Sequence, residues 1–470
     1  MVARPARPRR VAVILAAGKG TRMRSRQPKV LHPVAGRPML HRVLDAARSA
    51  GCERLLVVVG HGADTVRAAT EAAGMADGVE WVLQEEQRGT GDALARAEPH
   101  VEADDLLFVL SGDVPLLRPE TLEALATAAA TTTGGAMATA TLDEPGRLGR
   151  VLADTAGDGL ERIVEAADAS ADELAVRRIN AGLYALPARH VFDDLRGVGT
   201  GNAQGELYLT DALGAAVTAG RPIALLELDD ATEAFGINDR RDLTRAHRAL
   251  IDRHLDTLLT AGVTILDPGR TVVEPEVAVG ADTVLHAGVS LLGATRIGTG
   301  CVLHQGAWVR DCILADDVEV QPYCVLDGAR VDEEGRVGPF TRLRPDAVLR
   351  RGARAGTFVE MKNAVLGVGA RANHLSYLGD AAVGDDSNIG AGVVTCNYDG
   401  VRKHRTEIGA GAFIGSDTML VAPVRIGDGA TTAAGSTITL DVPDGALGVG
   451  RARQRTIEGW AVRRRDTPKS

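Results

Sequence analysis

Three groups of residues in this 470-residue chain have the types and spacing to do chemistry. Near the N-terminus the apolar run Val11–Leu15 passes into Ala16-Ala17-Gly18-Lys19-Gly20-Thr21-Arg22. Glycines there let backbone N–H groups approach an anion closely, and Lys and Arg add charge-assisted hydrogen bonds, a combination suited to a phosphate chain. The spacing is neither Gly-x-Gly-x-x-Gly nor that of a Walker A loop, which counts against Rossmann and P-loop readings. Ser111-Gly112-Asp113 closes a second apolar run, Leu106–Leu110, and so places a carboxylate where α/β sheets hold their ligands and where Mg²⁺ finds oxygen donors. The third group is Arg344, Lys362, His374 and Tyr377. Two cations and a phenol can bind a phosphate, and an imidazole, which titrates near neutrality, can take a proton from an amine. Outside any wider pattern, Lys29 is as well read as a solvated surface lysine, Asn238 as a turn former and His374 as a packed residue.

The elements that must position these residues follow two grammars. From about residue 9 to 240, short apolar runs alternate with alanine-rich helical segments, as in βα units of a parallel sheet. Val11–Leu15, Leu55–Val59 and Leu106–Leu110 read as strands buried on both faces. Residues 119–130 and 241–260 read as helices, the second polar enough to be an exposed connector. Beyond it a six-residue repeat sets in, with aliphatic positions at Val279, Leu285, Leu291, Ile297, Leu303 and Val309, then Val337, Leu343 and Leu349, then Val383 and Ile389. It resumes at Ile408, Ile414, Leu420 and Ile426 and, past Thr432, at Ile438. Three hexads per coil would point each of these inward in a triangular prism whose coils bury one another. The phase slips by one between Met361 and Leu366, and Asn397–Glu407 lacks the repeat, which predicts a protruding loop.

Composition agrees with such a solenoid: glycine is abundant, at 55 residues, and aromatics make up only 3%. A formal charge of −9 argues against a nucleic-acid or anionic-membrane partner, so anionic ligands must be held locally. Five cysteines, Cys52, Cys301, Cys312, Cys324 and Cys396, lack CxxC spacing and read mostly as buried thiols rather than a disulfide framework or zinc site. No stretch of about 18 apolar residues is present, so a soluble, cytoplasmic protein is expected.

The phosphate-type turn extends into Leu15-Ala-Ala-Gly-Lys-Gly-Thr-Arg-Met-Arg-Ser-Arg-Gln-Pro-Lys-Val-Leu-His-Pro-Val-Ala-Gly-Arg-Pro-Met-Leu40, which closely resembles the signature of nucleotide-sugar pyrophosphorylases. The resemblance implies that Leu15, Ala16, Ala17 and Gly18 hold the nucleoside and that Arg22 and Lys29 engage the triphosphate or sugar phosphate. Gln84 with Gly89-Thr90 resembles the uracil-reading segment, and Ser111-Gly112-Asp113 the metal motif, in which Asp113 is paired with Asn238 as a Mg²⁺ site. Gly149, Glu165 and Asn180 fall where the family contacts N-acetylglucosamine. There are departures. The family usually has Gly-Thr-Ala-His-Ala where this chain has Gly89-Thr-Gly-Asp-Ala93, and Ser111 replaces a commoner bulky residue. Both sit beside the nucleotide.

Arg344, Phe358-Val-Glu-Met-Lys-Asn363, Asn373-His-Leu-Ser-Tyr-Leu-Gly-Asp380, Asn388-Ile-Gly-Ala-Gly392, Thr395-Cys-Asn-Tyr-Asp-Gly400 and Gly415-Ser-Asp-Thr418 resemble the acetyltransferase half of bifunctional N-acetylglucosamine-1-phosphate uridylyltransferases. By this resemblance His374 is the proton acceptor, and Arg344, Lys362, Tyr377 and Asn388 hold the amino-sugar phosphate. Asn397 and Tyr398 adjoin both the amino sugar and acetyl-CoA, while Ala391, Ser416, Ala434 and Arg451 line the acetyl-CoA site. The implied substrates are UTP, N-acetylglucosamine-1-phosphate, glucosamine-1-phosphate and acetyl-CoA, and the implied assembly is a homotrimer. Trp460 then packs on a neighbouring subunit's sugar site or merely anchors the tail.

The expected architecture is therefore an α/β nucleotidyltransferase domain, Rossmann-like with a mostly parallel sheet, over residues 1–240. A helical linker at 241–265, a left-handed parallel β-helix of hexapeptide repeats at 266–460 and a disordered tail at 461–470 complete it. The competing reading keeps only a sugar-1-phosphate nucleotidyltransferase and makes the β-helix a non-catalytic scaffold.

Overall fold

Continuous apolar runs become the central strands of the N-terminal half because neither face of them meets water. In the computed structural model, which describes residues 8–146, 148–199 and 205–465, the chain divides into two compact units between Leu250 and Ile251. The first contains strands β1 (Arg10–Leu15), β2 (Arg54–Val59), β3 (Val79–Leu83), β4 (Leu106–Ser111), β5 (Ala136–Thr141), β6 (Arg150–Ala153), β7 (Leu160–Val164), β8 (Arg178–Pro187) and β9 (Ala224–Glu227). The main sheet runs β9-β5-β8-β4-β1-β2-β3, parallel except for β8, which is antiparallel to both its neighbours. The hairpin β6–β7 joins it through Arg150 opposite Ile179.

Helices cover both faces. Leu40, Val43 and Leu44 of α1 (Met39–Ser49), Val66 of α2 (Ala63–Ala72) and Leu122 and Leu125 of α4 (Pro119–Ala129) share one core with Ile14, Val57 and Phe108. On the other face Leu94 of α3 (Thr90–Ala95), Phe192 and Leu195 of α5 (Ala188–Gly197) and Leu209 and Leu213 of α6 (Leu209–Thr218) pack against Val11, Val13, Leu56 and Val109. The predicted strands and the helix at 119–130 lie within a residue of their expected ends.

Helix α7 (Arg240–Thr260) is less exposed than its polarity suggested. Leu243, Ala246, Ala249 and Leu250 lie against a small cluster of Met23, Val34, Met39, Leu116 and Ile237. That stripe recurs every three to four residues, so one face is apolar although the helix as a whole is hydrophilic.

The second unit is a parallel β-helix. Val284–Leu285 pairs with Val302–Leu303 eighteen residues on, and Ser290 with Trp308, so one coil takes three hexads. Coils pair in register through Thr437–Ile438, in two curled sheets. Every named repeat position is buried except Val279, which is half-exposed in the first coil, where no earlier coil covers it. The phase slip falls within one strand, Glu360–Leu366, where Asn363 takes the left-handed conformation and so absorbs the odd residue. The interruption spans 397–405, because the repeat strand is regained at Thr406, slightly before the expected end. Trp460–Arg465 forms a short helix, with the Arg464 guanidinium over the Trp460 ring, where disorder was expected from 461; residues 466–470 lie outside those described. The five cysteines are all unpaired, and Cys301, Cys312 and Cys324 are buried.

Candidate functional sites

At the carboxyl end of β1 the chain turns sharply. The Ala16 N–H donates to the Val58 carbonyl at 2.8 Å and the Gly112 N–H to the Leu15 carbonyl at 2.9 Å, which joins the ends of β1, β2 and β4. Gly20 is left-handed, and a Cβ there would sit 2.6 Å from that of Lys29, so only glycine lets the turn lie on the lysine stem. Lys29 is thereby directed to the ligand end of the sheet. Its ammonium forms a short ion pair with Asp113 and lies 3.2 Å from Asn238 Oδ1, which also accepts from Arg22 Nη2 at 2.8 Å.

Residues 22, 29, 113 and 238 thus meet at one point. The Asn238 loop is fixed by the Ile237 N–H on the Asp113 carbonyl and by Asp242, which accepts from the Asn238 and Asp239 N–H groups. Arg240 adds a brace that the sequence reading did not single out. It donates to the Met23 carbonyl and to His32 Nδ1, both at 3.3 Å; burial, then the Arg240 charge, pushes His32 below its ordinary value, so a neutral ring accepts that bond.

Beside this cluster opens a cavity of about 630 Å³ whose lining includes Leu15, Thr90, Ser111, Glu165, Asn180 and Tyr208. The Asn180 N–H donates to the Gly149 carbonyl, and its side-chain amide exchanges hydrogen bonds with the buried Tyr184 hydroxyl. A Cβ on Gly149 would lie 3.3 Å from Glu165 Oε1, which brings the three expected sugar-contacting residues together. Burial, with smaller contributions from Asp211 and Asp168, raises the Glu165 carboxyl above its ordinary value. Gln84, 2% exposed, follows β3 directly, and its amide donates to Asp92 and to the Gly89 carbonyl.

In the β-helix, Lys362 lies on strand Glu360–Leu366 and Tyr377 on the next strand of the same face, Tyr377–Val383. A Cβ on Gly379 would be 2.5 Å from the Tyr377 hydroxyl, so the ring lies across a glycine that has no side chain to displace it. Lys403, from the interrupted segment, crowds Lys362, and with Arg344 it lowers the Lys362 ammonium below its ordinary value. Asp380 balances them. Burial pushes its carboxyl up, but hydrogen bonds from Asn363 and Asn397 and the charges of Lys403 and Lys362 more than offset this and leave it low.

Lys403 and Asp380 were not among the expected site residues. The signal for Lys403 was its place in the basic run Arg402–Arg405 within the segment expected to protrude. That segment is internally braced: the Arg402 N–H, His404 and the Val401 N–H hold the Asp399 carboxyl down to about 2, and the His404 N–H donates to the Asn397 carbonyl. Arg344 pairs with Glu360 at 3.0 Å.

His374 ends strand Arg371–His374 and is exposed just before the corner at Leu375-Ser376, with Tyr377 beyond it. The buried Ser376 hydroxyl is shared between the His374 and Gly390 carbonyls, and the imidazole has no hydrogen-bond partner among the described residues. Asn388 starts the following strand on the His374 face, opposite Arg371. Ala391, Ser416 and Ala434 occupy one corner in successive coils: a Cβ on Gly390 would meet the Ser416 nitrogen at 2.6 Å, and one on Gly415 the Ala434 nitrogen at 2.6 Å. Glycine is compulsory at positions 390 and 415, where the next coil's backbone approaches this closely. The Gly450 N–H donates to the Ser436 hydroxyl and so ties down the backbone beside the exposed Arg451. Asn397 is buried beside Asp380, whereas Tyr398 is exposed, its hydroxyl on the Gly400 carbonyl.

Comparison with known proteins gives matches along the whole chain. The MobA-like NTP transferase domain matches residues 12–204, and the bacterial transferase hexapeptide (six repeats) matches residues 405–439. A curated protein from Syntrophotalea carbinolica, named "Bifunctional protein GlmU", is 49% identical over 454 residues, covering 96% of this chain and 97% of that one. Proteins of the same name from Alkalilimnicola ehrlichii and Sorangium cellulosum are 49% and 46% identical over 95% and 96% of this chain, and over 95% and 96% of their own.

Proposed function

The chain belongs to the family of bifunctional GlmU proteins, a nucleotidyltransferase domain followed by a hexapeptide acetyltransferase domain, and on that premise we propose how its two sites work. The C-terminal site transfers the acetyl group of acetyl-CoA to glucosamine-1-phosphate. The N-terminal site then joins N-acetylglucosamine-1-phosphate to UTP and releases diphosphate. The observation that carries the reading is the convergence of Arg22, Lys29, Asp113 and Asn238 on one point at the carboxyl end of the sheet.

Asp113 Oδ2 and Asn238 Oδ1 both reach the same ammonium, so two oxygens share a cation position, and an all-oxygen pair suits Mg²⁺ with substrate phosphates completing its shell. When bound there, the metal would neutralise developing phosphate charge. Arg22 and Lys29 hold the triphosphate while an oxygen of the sugar phosphate attacks the α-phosphorus in line and pyrophosphate departs. The nucleophile is already an anion, so no general base is needed, and positioning and charge neutralisation carry the acceleration. Leu15, Ala16, Ala17 and Gly18 seat the nucleoside with Gln84, Gly89 and Thr90, beside Ser111 and Gly112. Gly149, Glu165 and Asn180 seat the sugar.

In the C-terminal site Arg344, Lys362, Lys403 and Tyr377 grip the phosphate, and the mutual repulsion of Lys362 and Lys403 is relieved by an anion between them. His374 removes a proton from the amino-sugar ammonium. The free amine attacks the thioester carbonyl, the C–S bond breaks, and the proton that the nitrogen sheds in becoming an amide ends on the departing coenzyme A thiolate. Asn388 orients the amino sugar, Asn397 and Tyr398 adjoin it, and Ala391, Ser416, Ala434 and Arg451 line the coenzyme site. The domains are assigned as 1–240, 241–265 and 266–460.

The working form is a homotrimer in the cytoplasm. Unpaired cysteines accord with a reducing compartment, and no described helix is long and apolar enough to cross a membrane. An exposed ring stack of Tyr323, Phe340 and Phe358, continued by Leu375 next to His374, supplies an apolar edge for a second copy to cover.

The test follows free thiol and pyrophosphate separately, with acetyl-CoA, glucosamine-1-phosphate, UTP and Mg²⁺ supplied. Asp113→Ala should abolish pyrophosphate release and keep thiol release. His374→Ala should cut thiol release by about 10² to 10⁴ and keep pyrophosphate release from added N-acetylglucosamine-1-phosphate. Normal pyrophosphate release by Asp113→Ala, or undiminished thiol release by His374→Ala, defeats the corresponding assignment.

A further inference from the structure

Gln84 has an amide that can be turned in only one way. Its Nε2 donates to Asp92 Oδ2 at 2.7 Å and to the Gly89 carbonyl at 3.3 Å. Both neighbours are acceptors. The reverse orientation would set the amide oxygen against a carboxylate and a carbonyl, leaving buried acceptors unpaired at a side chain only 2% exposed. Oε1 therefore faces the opposite side, and it has no partner among the described residues.

Asp92 is itself held in place. Its second oxygen accepts from Arg96 Nη2 at 3.3 Å, one turn along α3. The start of that helix is tied down by the Gly91 N–H on the Leu207 carbonyl at 2.8 Å. A Cβ at position 91 would lie 2.9 Å from that carbonyl oxygen and from Leu195 Cδ2, so the glycine permits this close approach. Gly91 and Asp92 thus form one device: the first seats the helix and the second aims the glutamine.

We propose that Asp92 is a positioning residue for nucleobase choice: by holding the Gln84 amide with its oxygen outward, it presents an acceptor to the base and favours a pyrimidine carrying N3–H over cytosine, whose N3 is a lone pair. The proposal rests on reading the N-terminal unit as a uridylyltransferase with Gln84 at the base. Without Asp92 the amide is free to rotate and to offer its NH₂ to N3 of cytosine. Discrimination then falls through better binding of the wrong base as well as poorer binding of the right one.

The experiment measures kcat and KM of the full chain with N-acetylglucosamine-1-phosphate and either UTP or CTP, for the unaltered protein, Asp92→Ala and Asp92→Asn. Asp92→Ala should narrow the UTP-to-CTP ratio of kcat/KM about tenfold, the worth of one base-edge hydrogen bond, with the change mainly in KM. Asp92→Asn retains an acceptor oxygen and should narrow it less, in the same direction; where the alanine variant loses the fold of the N-terminal unit, shown by loss of activity with both nucleotides together with a lowered melting temperature, the asparagine variant carries the test alone. Equal loss with both nucleotides, or an unchanged ratio, overturns the proposal. An unaltered protein that does not use UTP would instead overturn the uridylyltransferase reading on which it stands.

Discussion

Lys29 and Lys362 show how one residue type is set to two tasks by its neighbours. Lys29 lies among oxygens, paired to Asp113 and near Asn238, in a site where the oxygens would hold a divalent cation and the ammonium would turn to a triphosphate. Lys362 faces Lys403 and Arg344, and their charges make its ammonium easier to deprotonate, which suits a site awaiting a dianion. Lys403→Ala should therefore return Lys362 towards its ordinary value, so the pH at which phosphate affinity falls moves upward. It should also raise KM for glucosamine-1-phosphate about tenfold or more, the loss of one charged hydrogen bond. Thiol-release kinetics across pH check both effects, with pyrophosphate release from added N-acetylglucosamine-1-phosphate unchanged. Arg22, Lys29 and His374 were legible because they sit in long contiguous motifs. Lys403 and Asp380 also stand in conspicuous stretches, a basic run and the end of the Asn373–Asp380 motif, but their parts are set by what they meet in space, Lys403 against Lys362 and Asp380 against Asn363 and Asn397.

At the scale of elements, apolar runs and hexads decide almost everything. Leu420 stands between Thr395 and Ile438 in adjacent coils and is fully buried. Leu420→Ala should cost about 2–5 kcal/mol, as core leucine truncations do. A solenoid coil contacts mainly its neighbours, so the loss should fall on the coils that carry Ser416 and Ala434. Thermal melting should show an earlier C-terminal transition, with acetyl transfer failing before uridylyl transfer as temperature rises. The departures from expectation also arise at this scale. Val279 has the repeat spacing but lacks a preceding coil, and α7 carries an apolar stripe inside a hydrophilic sequence. The short helix at Trp460–Arg465 is supported by a ring–guanidinium contact that a polar tail composition does not announce.

For the molecule as a whole, two units carry two chemistries, and a trimer is the state in which the second is expected to be complete. Sedimentation should give a particle of three chains. Dilution or interface substitution that yields monomers should remove acetyl transfer while leaving uridylyl transfer; a fully active monomer would refute the assembly. The division into a βα half and a hexad half could be read from chain order alone, because periodicity is a local property and burial imposes it residue by residue. The motifs likewise named the chemistry of each half. What needed tertiary structure was proximity: residues 29, 113 and 238 meet only because parallel strands deliver their carboxyl ends to one edge, and Lys403 reaches Lys362 only because the loop returns across the coil. The same holds for Gln84. Its identity was plain in the sequence, but the direction of its amide follows from Asp92 eight residues on, through a helix turn whose position depends on Leu207.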